Sequence, residues 1–483
     1  MQSDEQKRKR ASGIYDEGRE AVVNYIVALE TKVEILDERV KKLEARLHQD
    51  SHNSNLPPSS DGLKHFSKSS RQKSKRLPGG QKGRDGSTLK RTSKPDIIIV
   101  HPVDECSHCG CSLEKIKSTH HHTRQVMDIP VMNMTVTEHQ AESKSCPHCK
   151  ETTQAAFPDG VTKAVQYGVN LKAIGVYLMQ YQLLSSKRTV EAINDLFKCT
   201  VGEGSLFNWT TELSERSEAS YNAIKEHVRA SPVIHTDETG IACGTQPHWL
   251  HVVCTADATF YAAHPKRGSV AMSDIGILPF FKGTAVHDMW ASYFTYDCKH
   301  CICNAHIIRE LTFAFEEYKQ RWAQKLKELL LKIHDTVERC RRKGKKALDR
   351  RTLRRYEEWY DTLVSKGLRK NPRLRGSPHK RGRVKQSKVR NLLDRLHDHR
   401  GSVLAFLYDF GVPFTNNLAE RDLRMTKVKL KISGCFRSVT GAEIYCRIRS
   451  YLSTARKNSV AAFDAIVNAF QGQPFILKPN YAE

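Results

Sequence analysis

Three acidic residues in this 483-residue chain follow strand-like or helix-start patterns and are the strongest candidates for chemistry. Asp237 ends the apolar run in PVIHTDETG, Asp288 ends a strand-like segment in GTAVHDMWASY, and Glu420 falls in the first turn of a helix predicted after Thr415 and Asn416. Acids on two neighbouring strands and a later helix can converge on two divalent cations about 3.5 to 4 Å apart, as in phosphodiester displacement. The alternative for each aspartate is a cap or turn residue.

The same predicted helix, within TNNLAERDLRMTKVKLKISGCFR, carries cations in line with Glu420. Residues separated by four, three and four positions lie on nearly the same side of a helix with 3.6 residues per turn. This spacing aligns three basic residues with the glutamate: Arg424, Lys427 and Lys431. Leu418 and Met425 fall on roughly the opposite side and are predicted to face a core. The alternative is a solvated charged face with an ion pair between Glu420 and Arg424.

Two Cys-x-x-Cys pairs, Cys106 with Cys109 and Cys146 with Cys149, have the spacing of metal-binding turns. Four thiolates presented by two such turns give the closed tetrahedral shell of a structural zinc site. The strand-like segment RQVMDIPVMNMTVTEHQ between them predicts a β-hairpin inserted between the two pairs. The alternative is a set of free buried cysteines.

Charge and composition indicate a polyanionic partner. The net charge is +25, and contacts from Lys and Arg to phosphate supply most non-specific affinity for nucleic acid. No apolar run approaches the roughly 18 residues that a membrane-spanning helix needs. The N-terminal MQSDEQKRKR does not resemble a signal peptide, so the 14 cysteines are interpreted as cytoplasmic thiols and metal ligands.

An N-terminal heptad predicts self-association. Apolar residues repeat at the two core positions of the heptad: Ile26, Val33, Val40 and Leu47 at a, and Val22, Leu29, Leu36 and Leu43 at d. Mostly β-branched residues at a with leucine at d favour a parallel two-stranded coiled coil. The alternative is an amphipathic helix packed on its own chain.

Three further regions are predicted to contact DNA. Helices near residues 188–197 and 202–213 have a helix-turn-helix outline, although any pair of short packed helices gives the same pattern. The segment Lys366 to Arg390 is dense in Lys and Arg and is interpreted as a basic arm of a helical insertion. The helix in GAEIYCRIRSYLSTARKN is predicted to pack on a sheet and to offer its cations to the same DNA.

Several strings closely resemble the transposases of the insertion sequence 66 family: HTDETG, GTAVHDMWASYF, CNAHIIREL, VPFTNNLAERDLRM, KLKISG, FRS and IRSYLSTARKN. The resemblance extends to the zipper segment that ends in SNLPPSSD, to LPGGQKG and to the paired cysteines, in the same order along nearly the whole chain. It implies an RNase H-like core whose Asp-Asp-Glu triad is Asp237, Asp288 and Glu420. Lys427, seven residues after the glutamate, occupies the place of a DNA-contacting cation. Cys435 departs from the family pattern, which usually has a second glycine there.

The expected fold is multidomain α+β: an N-terminal coiled coil, a zinc ribbon, a helical helix-turn-helix-like region, and an RNase H-like α/β catalytic core interrupted by a helical insertion. The predicted boundaries are a coiled coil at 1–50, a basic flexible linker at 51–95, the zinc ribbon at 96–155, the helical DNA-binding region at 156–228, the core at 229–311 and 411–460, the insertion at 312–410, and a C-terminal helix and tail at 461–483.

The expected function is that of a DNA transposase that binds the terminal inverted repeats of a bacterial insertion sequence and joins their ends to target DNA. Expected cofactors are Mg²⁺ (or Mn²⁺) at the triad and structural Zn²⁺ at the four cysteines. Expected partners are DNA, further copies of the chain as a homodimer or higher homo-oligomer, and helper proteins encoded by the same element, in the bacterial cytoplasm at the nucleoid. The alternatives are a non-catalytic zinc-containing DNA-binding regulator and a two-metal DNA nuclease.

Overall fold

The computed structural model describes residues 4–54, 89–129, 132, 134–374 and 384–478. The first helices of this part of the chain are α1 (Asp4–Asp16), α2 (Arg19–Leu47), α3 (Val169–Val176), α4 (Ser186–Phe197), α5 (Glu203–Arg216) and α6 (Glu218–Ala230). The later ones are α7 (Ser269–Ile275), α8 (Asn304–Glu316), α9 (Arg321–Arg342), α10 (Arg350–Lys370), α11 (Lys388–Asp398), α12 (Arg400–Val403), α13 (Ala405–Tyr408), α14 (Asn417–Ser433), α15 (Val439–Lys457) and α16 (Ala462–Phe470). None of these described helices combines the length and apolarity that a membrane crossing requires.

A five-stranded mixed sheet is formed by residues 233–302. The strands are β1 (Ser143–Ser145) and β2 (Thr152–Gln154), which pair with each other, and β3 (Val233–Cys243), β4 (Gln246–Cys254), β5 (Thr259–His264), β6 (Thr284–His287) and β7 (Lys299–Ile302), which form the central sheet. Its order is β5-β4-β3-β6-β7: β3, β4 and β5 are antiparallel, whereas β6 runs parallel to β3 and β7 parallel to β6. Strands β3, β6 and β7 therefore run parallel, and β6 and β7 end alongside β3.

Strand β3 extends further than its sequence pattern predicts. Asp237 was expected to end the strand, but pairing with β4 continues from His235 to Cys243. The residues after Asp237 stay extended because each finds a partner across a long β-hairpin, in which Asp237 lies opposite Val252. Asp288, in contrast, directly follows β6, as predicted. The alternating or apolar patterns of HWLHVVCT and TFYAAHP predict two more strands, which the structure confirms as β4 and β5.

Helices α3, α4 and α5 share a core with the C-terminal helices. Leu206, Trp209 and Leu213 of α5 pack in one apolar cluster with Tyr451 of α15 and Ile466 of α16. The predicted pair of helices exists as α4 and α5, with Lys198 in a left-handed conformation (φ 53°) between them. The exposed surface of α5 includes two acids, Glu203 and Glu215, and its single cation Arg216 is paired with Glu212 at 3.0 Å. This surface does not favour contact with phosphate.

The residues between α8 and α14 form a helical insertion with its own core. Helices α9 and α10 form a long antiparallel hairpin, and α11 packs along it, with Trp322, Leu330, Tyr360 and Leu393 among the buried residues. The break between α8 and α9 falls at residues 317–320, inside the predicted helical insertion, where Lys319 adopts a left-handed conformation (φ 50°). Part of the predicted basic arm, residues 375–383, lies outside the described residues.

Helix α15 keeps fewer cations at the surface than its sequence pattern predicts. Arg447 forms an ion pair with Glu218, and only Arg456 of the four basic residues expected to face DNA is fully exposed. Arg449 is 8% exposed, and its guanidinium lies over the ring of Tyr181. Lys457 is committed to an ion pair with Asp422 at 2.9 Å. The helix is covered by the sheet on one side and by the α3–α6 helices on the other, so its cations are used inside the protein.

The apolar heptad positions of α2 remain mostly exposed. Val33 is 63% exposed, Val40 50% and Leu43 58%. Contact with the rest of the chain is concentrated at the end of the helix, where His48 meets Glu317 at 3.2 Å and Asn53 is buried. The heptad face is therefore not covered by the chain's own core. The predicted linker at 51–95 lies largely outside the described residues, but its first four residues are placed against α8 and α11.

Candidate active site

The two aspartates are brought side by side by the parallel strands β3 and β6. The register pairs Ile234 with Ala285 and His235 with Val286, so two residues further along each strand Asp237 comes level with Asp288. Because side chains alternate along a strand and both aspartates are two residues beyond a paired position, both side chains lie on the same face of the sheet. The prediction that these acids lie on neighbouring strands is correct in this geometry.

Glu420 reaches the same edge through the start of α14, which is fixed to the sheet. The side chain of Asn416 contacts β3 twice: its Nδ2 donates to the carbonyl of Thr236 at 2.9 Å, and its Oδ1 lies 2.9 Å from Nδ1 of His235. The backbone N–H of Asn416 donates to Sγ of Cys303 at 3.1 Å, directly after β7. Asn416 was expected to cap the helix with its side chain; instead the side chain joins α14 to the sheet.

Each aspartate commits one oxygen to a local backbone N–H. Oδ1 of Asp237 accepts from the N–H of Glu238 at 2.9 Å, and Oδ1 of Asp288 accepts from the N–H of Trp290 at 3.0 Å. Oε1 of Glu420 is buried and makes no hydrogen bond within the described part of the chain. A buried carboxylate oxygen without a donor is costly unless a cation neutralises it. The acids thus have oxygen ligands to offer.

Electrostatics at this edge also favour a bound cation. Burial and, after it, the negative charges of Glu238, Asp288 and Glu420 together raise the pKa of Asp237 to about 7. A divalent ion would reverse this effect, because it stabilises the charged form of every carboxylate around it. Hard oxygen ligands suit Mg²⁺ or Mn²⁺ better than softer metals. The residues present therefore fit a divalent-cation site.

The closest set of potential ligand atoms includes two residues to which sequence reasoning assigned no role. Among the described residues, only Cys303, His306 and Glu420 form a group of three or more His, Cys, Asp or Glu ligand atoms that all lie within 4.8 Å of one another. The three carboxylates predicted to form a triad approach less closely than this. Nε2 of His306 lies 3.6 Å from Oε1 of Glu420. The signal was available in CNAHIIREL, where the two residues stand three apart at the end of β7 and the start of α8.

Cys303 fixes the start of α14 through Asn416, and His306 lies beside Glu420 without a hydrogen bond to it. Burial raises the pKa of the Cys303 thiol to about 11, so near neutral pH it is a neutral acceptor for the N–H of Asn416. Burial also lowers the pKa of His306, which favours the neutral imidazole.

The neighbouring acids are occupied elsewhere. Glu238 has a side chain only 2% exposed, which accepts from Arg267 at 2.7 Å and from the hydroxyl of Tyr293. Asp422 accepts from Lys457 at 2.9 Å and from Thr259 at 2.8 Å. Both acids are therefore held in ion pairs with basic residues. Asp237 and Glu420 make no such pair with Lys or Arg within the described residues.

Most of the basic side chains of α14 that follow Glu420 along the helix are exposed. Three of them line the outer face of the helix: Arg424, Lys427 and Lys431. The ion pair between Glu420 and Arg424, which belongs to the alternative interpretation of this helix, does not form, and the glutamate turns towards His306. The inward face is formed by the buried Ala419, Leu423 and Thr426. Leu418 and Met425, predicted to face the core, are only partly buried at its border.

The four cysteines lie in two turns of matching design. In each turn the first cysteine accepts a hydrogen bond from the N–H four residues later, Gly110 for Cys106 and Lys150 for Cys146, both at 2.9 Å. Gly110 and Lys150 share a left-handed backbone, with φ of 72° and 65°. Backbone N–H groups lower the pKa of both Cys106 and Cys146, as thiolate ligands require.

The two turns are formed individually, but they do not close on one point. No three of the four sulfur atoms lie within 4.8 Å of one another, although all four residues are within the described part of the chain. Strands β1 and β2 flank the second turn, and the bridge from Glu105 to Ser112 flanks the first in the same way. The predicted hairpin between the turns is wrong for residues 124–129, 132 and 134–140, which form no strand. Strand pairing is confined to the turns themselves.

Comparison with known families agrees with this geometry. The model of the transposase IS66 family matches residues 164–444, more than half of the chain, and spans β3, β6 and the start of α14. The model of the zinc-finger binding domain of transposase IS66 matches residues 104–150, and a family of unknown function (DUF6444) matches residues 5–90. No curated protein matched the chain. A transposase domain over the acidic edge and a zinc finger over both cysteine turns place the chain in the IS66 family of transposases, as a DNA-binding enzyme of the DDE type.

Proposed function

We propose that Asp237, Asp288 and Glu420 are the Asp-Asp-Glu triad of this transposase and hold two Mg²⁺ ions, or Mn²⁺, within an RNase H-like core. The observation that carries this proposal is the level position of Asp237 and Asp288 on parallel strands, with Asn416 joining the helix of Glu420 to the same strand. Two divalent ions at such a site activate an attacking hydroxyl and stabilise a leaving oxygen.

The protein's own residues prepare the reacting phosphodiester. The carboxylates supply a concentrated negative charge that holds cations at the end of the parallel strands. The buried ion pairs of Glu238 and Asp422 leave the triad as the available acids at this edge of the described fold. Strand cleavage and strand transfer would use the same carboxylates, because both displace an oxygen at phosphorus.

The DNA is held by positive charge near the triad. Arg424, Lys427 and Lys431 are exposed along one face of α14, so a strand whose phosphate reaches Glu420 would pass along them. Such contacts position the backbone without reading base sequence. Recognition of the terminal inverted repeats would then belong to other surfaces, in the helical region at 156–228 or the zinc ribbon at 96–155.

Zinc and self-association complete the proposal. Cys106, Cys109, Cys146 and Cys149 would hold one Zn²⁺ as a tetrahedral site, which would draw the two preformed turns together. The exposed heptad of α2 supports a parallel coiled coil between two copies. A homodimer or higher homo-oligomer would hold two element ends, together with helper proteins of the same element, in the bacterial cytoplasm at the nucleoid.

A single reaction tests the catalytic part of the proposal. The full-length protein is incubated with a duplex that carries an element end, with Mg²⁺ and with a target plasmid, and the products are separated into nicked and joined DNA. We expect both products from the parent protein and neither from Asp288→Asn. Nicking without joining under every condition would favour a nuclease, and full activity of Asp288→Asn would refute the triad.

A further inference from the structure

The turn between α9 and α10 carries a concentration of positive charge that the triad and α14 do not account for. We define the hairpin tip as residues 339–355, with the sequence RCRRKGKKALDRRTLRR. Ten of its 17 residues are Lys or Arg, all exposed, and its one acid, Asp349, accepts from the N–H of Thr352 as the cap of α10. Within the described residues, only Arg341 among these cations forms an ion pair, with Glu338 at 2.7 Å.

The rest of the hairpin is electrically balanced. Residues 321–338 of α9 contain four basic and three acidic side chains, and residues 356–370 of α10 contain three of each. A helix face that is only solvated usually mixes the two signs along its length, as these segments do. The tip instead gathers unpaired like charges at one end, where they repel one another. Such a surface is matched to a polyanion.

The tip projects beyond the edge of the sheet that carries the triad. Helix α8 begins at this edge, where the N–H of Asn304 donates to the carbonyl of Phe414, and α9 runs back along it. His334 of α9 stacks on the ring of Phe414, two residues before Asn416, with centroids 4.3 Å apart. The eight further residues to Arg342 extend α9 by about 12 Å past this level. Arg341 secures the projection by donating to the carbonyl of Phe410.

We propose that the hairpin tip binds the sugar-phosphate backbone of duplex DNA a short distance from the reacting phosphate, independently of base sequence. This inference rests on the proposed position of the triad. A projection of about 12 Å corresponds to about four base pairs of duplex, at 3.4 Å per pair. The tip therefore anchors the duplex that flanks the scissile position, while α14 holds the strand at the site.

A pair of matched triple variants tests the proposal in the full-length protein. The tip variant is Lys343→Ala/Lys345→Ala/Lys346→Ala, in the turn between the helices. The control is Lys325→Ala/Arg369→Ala/Lys370→Ala, which removes the same charge from exposed positions at the opposite end of the same hairpin. Both sets avoid the buried core, and equal thermal unfolding curves would show that both variants fold.

The measurement is a salt titration of binding to a short duplex of arbitrary sequence, without divalent ions. Each lost phosphate contact lowers the slope of log affinity against log salt by about 0.9. We expect the tip variant to lose about two to three units of slope and the control less than one. Equal losses in the two variants would overturn the proposal, because they would reflect net charge alone. If the tip variant lost affinity for a structured RNA but kept its affinity for the DNA duplex, the proposal would also be overturned.

The position of the hairpin tip along the DNA is tested with duplexes in which selected phosphates are replaced by uncharged groups. Methylphosphonates placed about four base pairs from the scissile position should weaken binding of the parent severalfold and weaken binding of the tip variant less, because three of the ten tip cations are already absent. An equal effect on both proteins would contradict the assignment. Failure of the triad assignment would appear separately, as cleavage by Glu420→Gln, because these titrations involve no catalysis.

Discussion

Replacing Asp237 with asparagine is expected to stabilise the metal-free protein above neutral pH. The native carboxylate is buried and lies among three other acids, so its pKa is raised to about 7. Asparagine is nearly isosteric and keeps an oxygen for the N–H of Glu238, which Asp237 now accepts at 2.9 Å. The substitution therefore removes the charge with little change in packing.

The raised pKa fixes the sign and size of the effect. The folded state binds the proton more tightly than the unfolded state, whose Asp pKa is about 3.9, so stability falls as pH rises from about 4 to about 7. A difference of about three units at about 1.36 kcal/mol each gives a loss of about 4 kcal/mol by pH 8. About 2 kcal/mol of this loss occurs between pH 5.5 and pH 8.

The assay is urea unfolding at several pH values in the presence of a chelator. All five tryptophans lie between residues 209 and 359, so their fluorescence reports on the folded core and not on the zinc module. We expect Asp237→Asn to exceed the parent by about 4 kcal/mol at pH 8 and by about 2 kcal/mol at pH 5.5. Adding Mg²⁺ should stabilise the parent and leave the variant nearly unchanged.

Asp422→Asn is the matched control. It removes a buried carboxylate from the same core but leaves Lys457 without its ion-pair partner, so it should destabilise the protein by about 3 to 5 kcal/mol. A lower stability of Asp237→Asn than of the parent at pH 8 without metal would refute the reasoning, because the site would then be organised without cation binding.

Three further predictions concern the zipper, the zinc turns and the DNA contacts. Aspartates at Val33 and Val40 should abolish dimers of the isolated α2 segment, at a cost of several kcal/mol per buried charge; a monomeric parent segment in light scattering would contradict this. Cys146→Ser, or chelation, should unfold residues 96–155 and leave the core folded, because zinc binding of about 10 to 16 kcal/mol is effectively folding energy for so small a module. Metal analysis that finds no zinc in protein purified without a chelator would contradict this. Lys427→Ala should weaken DNA binding and lower its salt slope by about one unit, and an unchanged slope would exclude the contact.

The sequence predicts the elements of this site better than their connections. Strand patterns identified β4, β5 and the end of β6, and helical spacing identified the row of cations on α14. These features depend on residues close together in the chain, where periodicity and turn chemistry are informative. The heptad of α2 was predictable for the same reason, because its pattern repeats every seven residues.

The connections depend on contacts that sequence spacing does not encode. Asn416 was assigned to the helix cap, but it contacts Thr236, 180 residues earlier. His306 meets Glu420 across two elements, although both were visible in quoted motifs. Arg449 and Lys457 were assigned to DNA and are instead buried or paired inside the fold. Tertiary packing decides such cases, because it determines which face of a helix remains at the surface.

Strand cleavage by Glu420→Gln, measured beside DNA affinity, tests the assignment of the triad most directly. The substitution preserves side-chain size and removes the charge that helps to hold a divalent ion. With saturating protein and Mg²⁺, cleavage and joining should fall by several orders of magnitude. DNA affinity in the salt titration should barely change, because it arises from many Lys and Arg contacts. Cleavage near the parent rate by Glu420→Gln, with loss of activity on Asp422→Asn despite a folded core, would contradict the assignment.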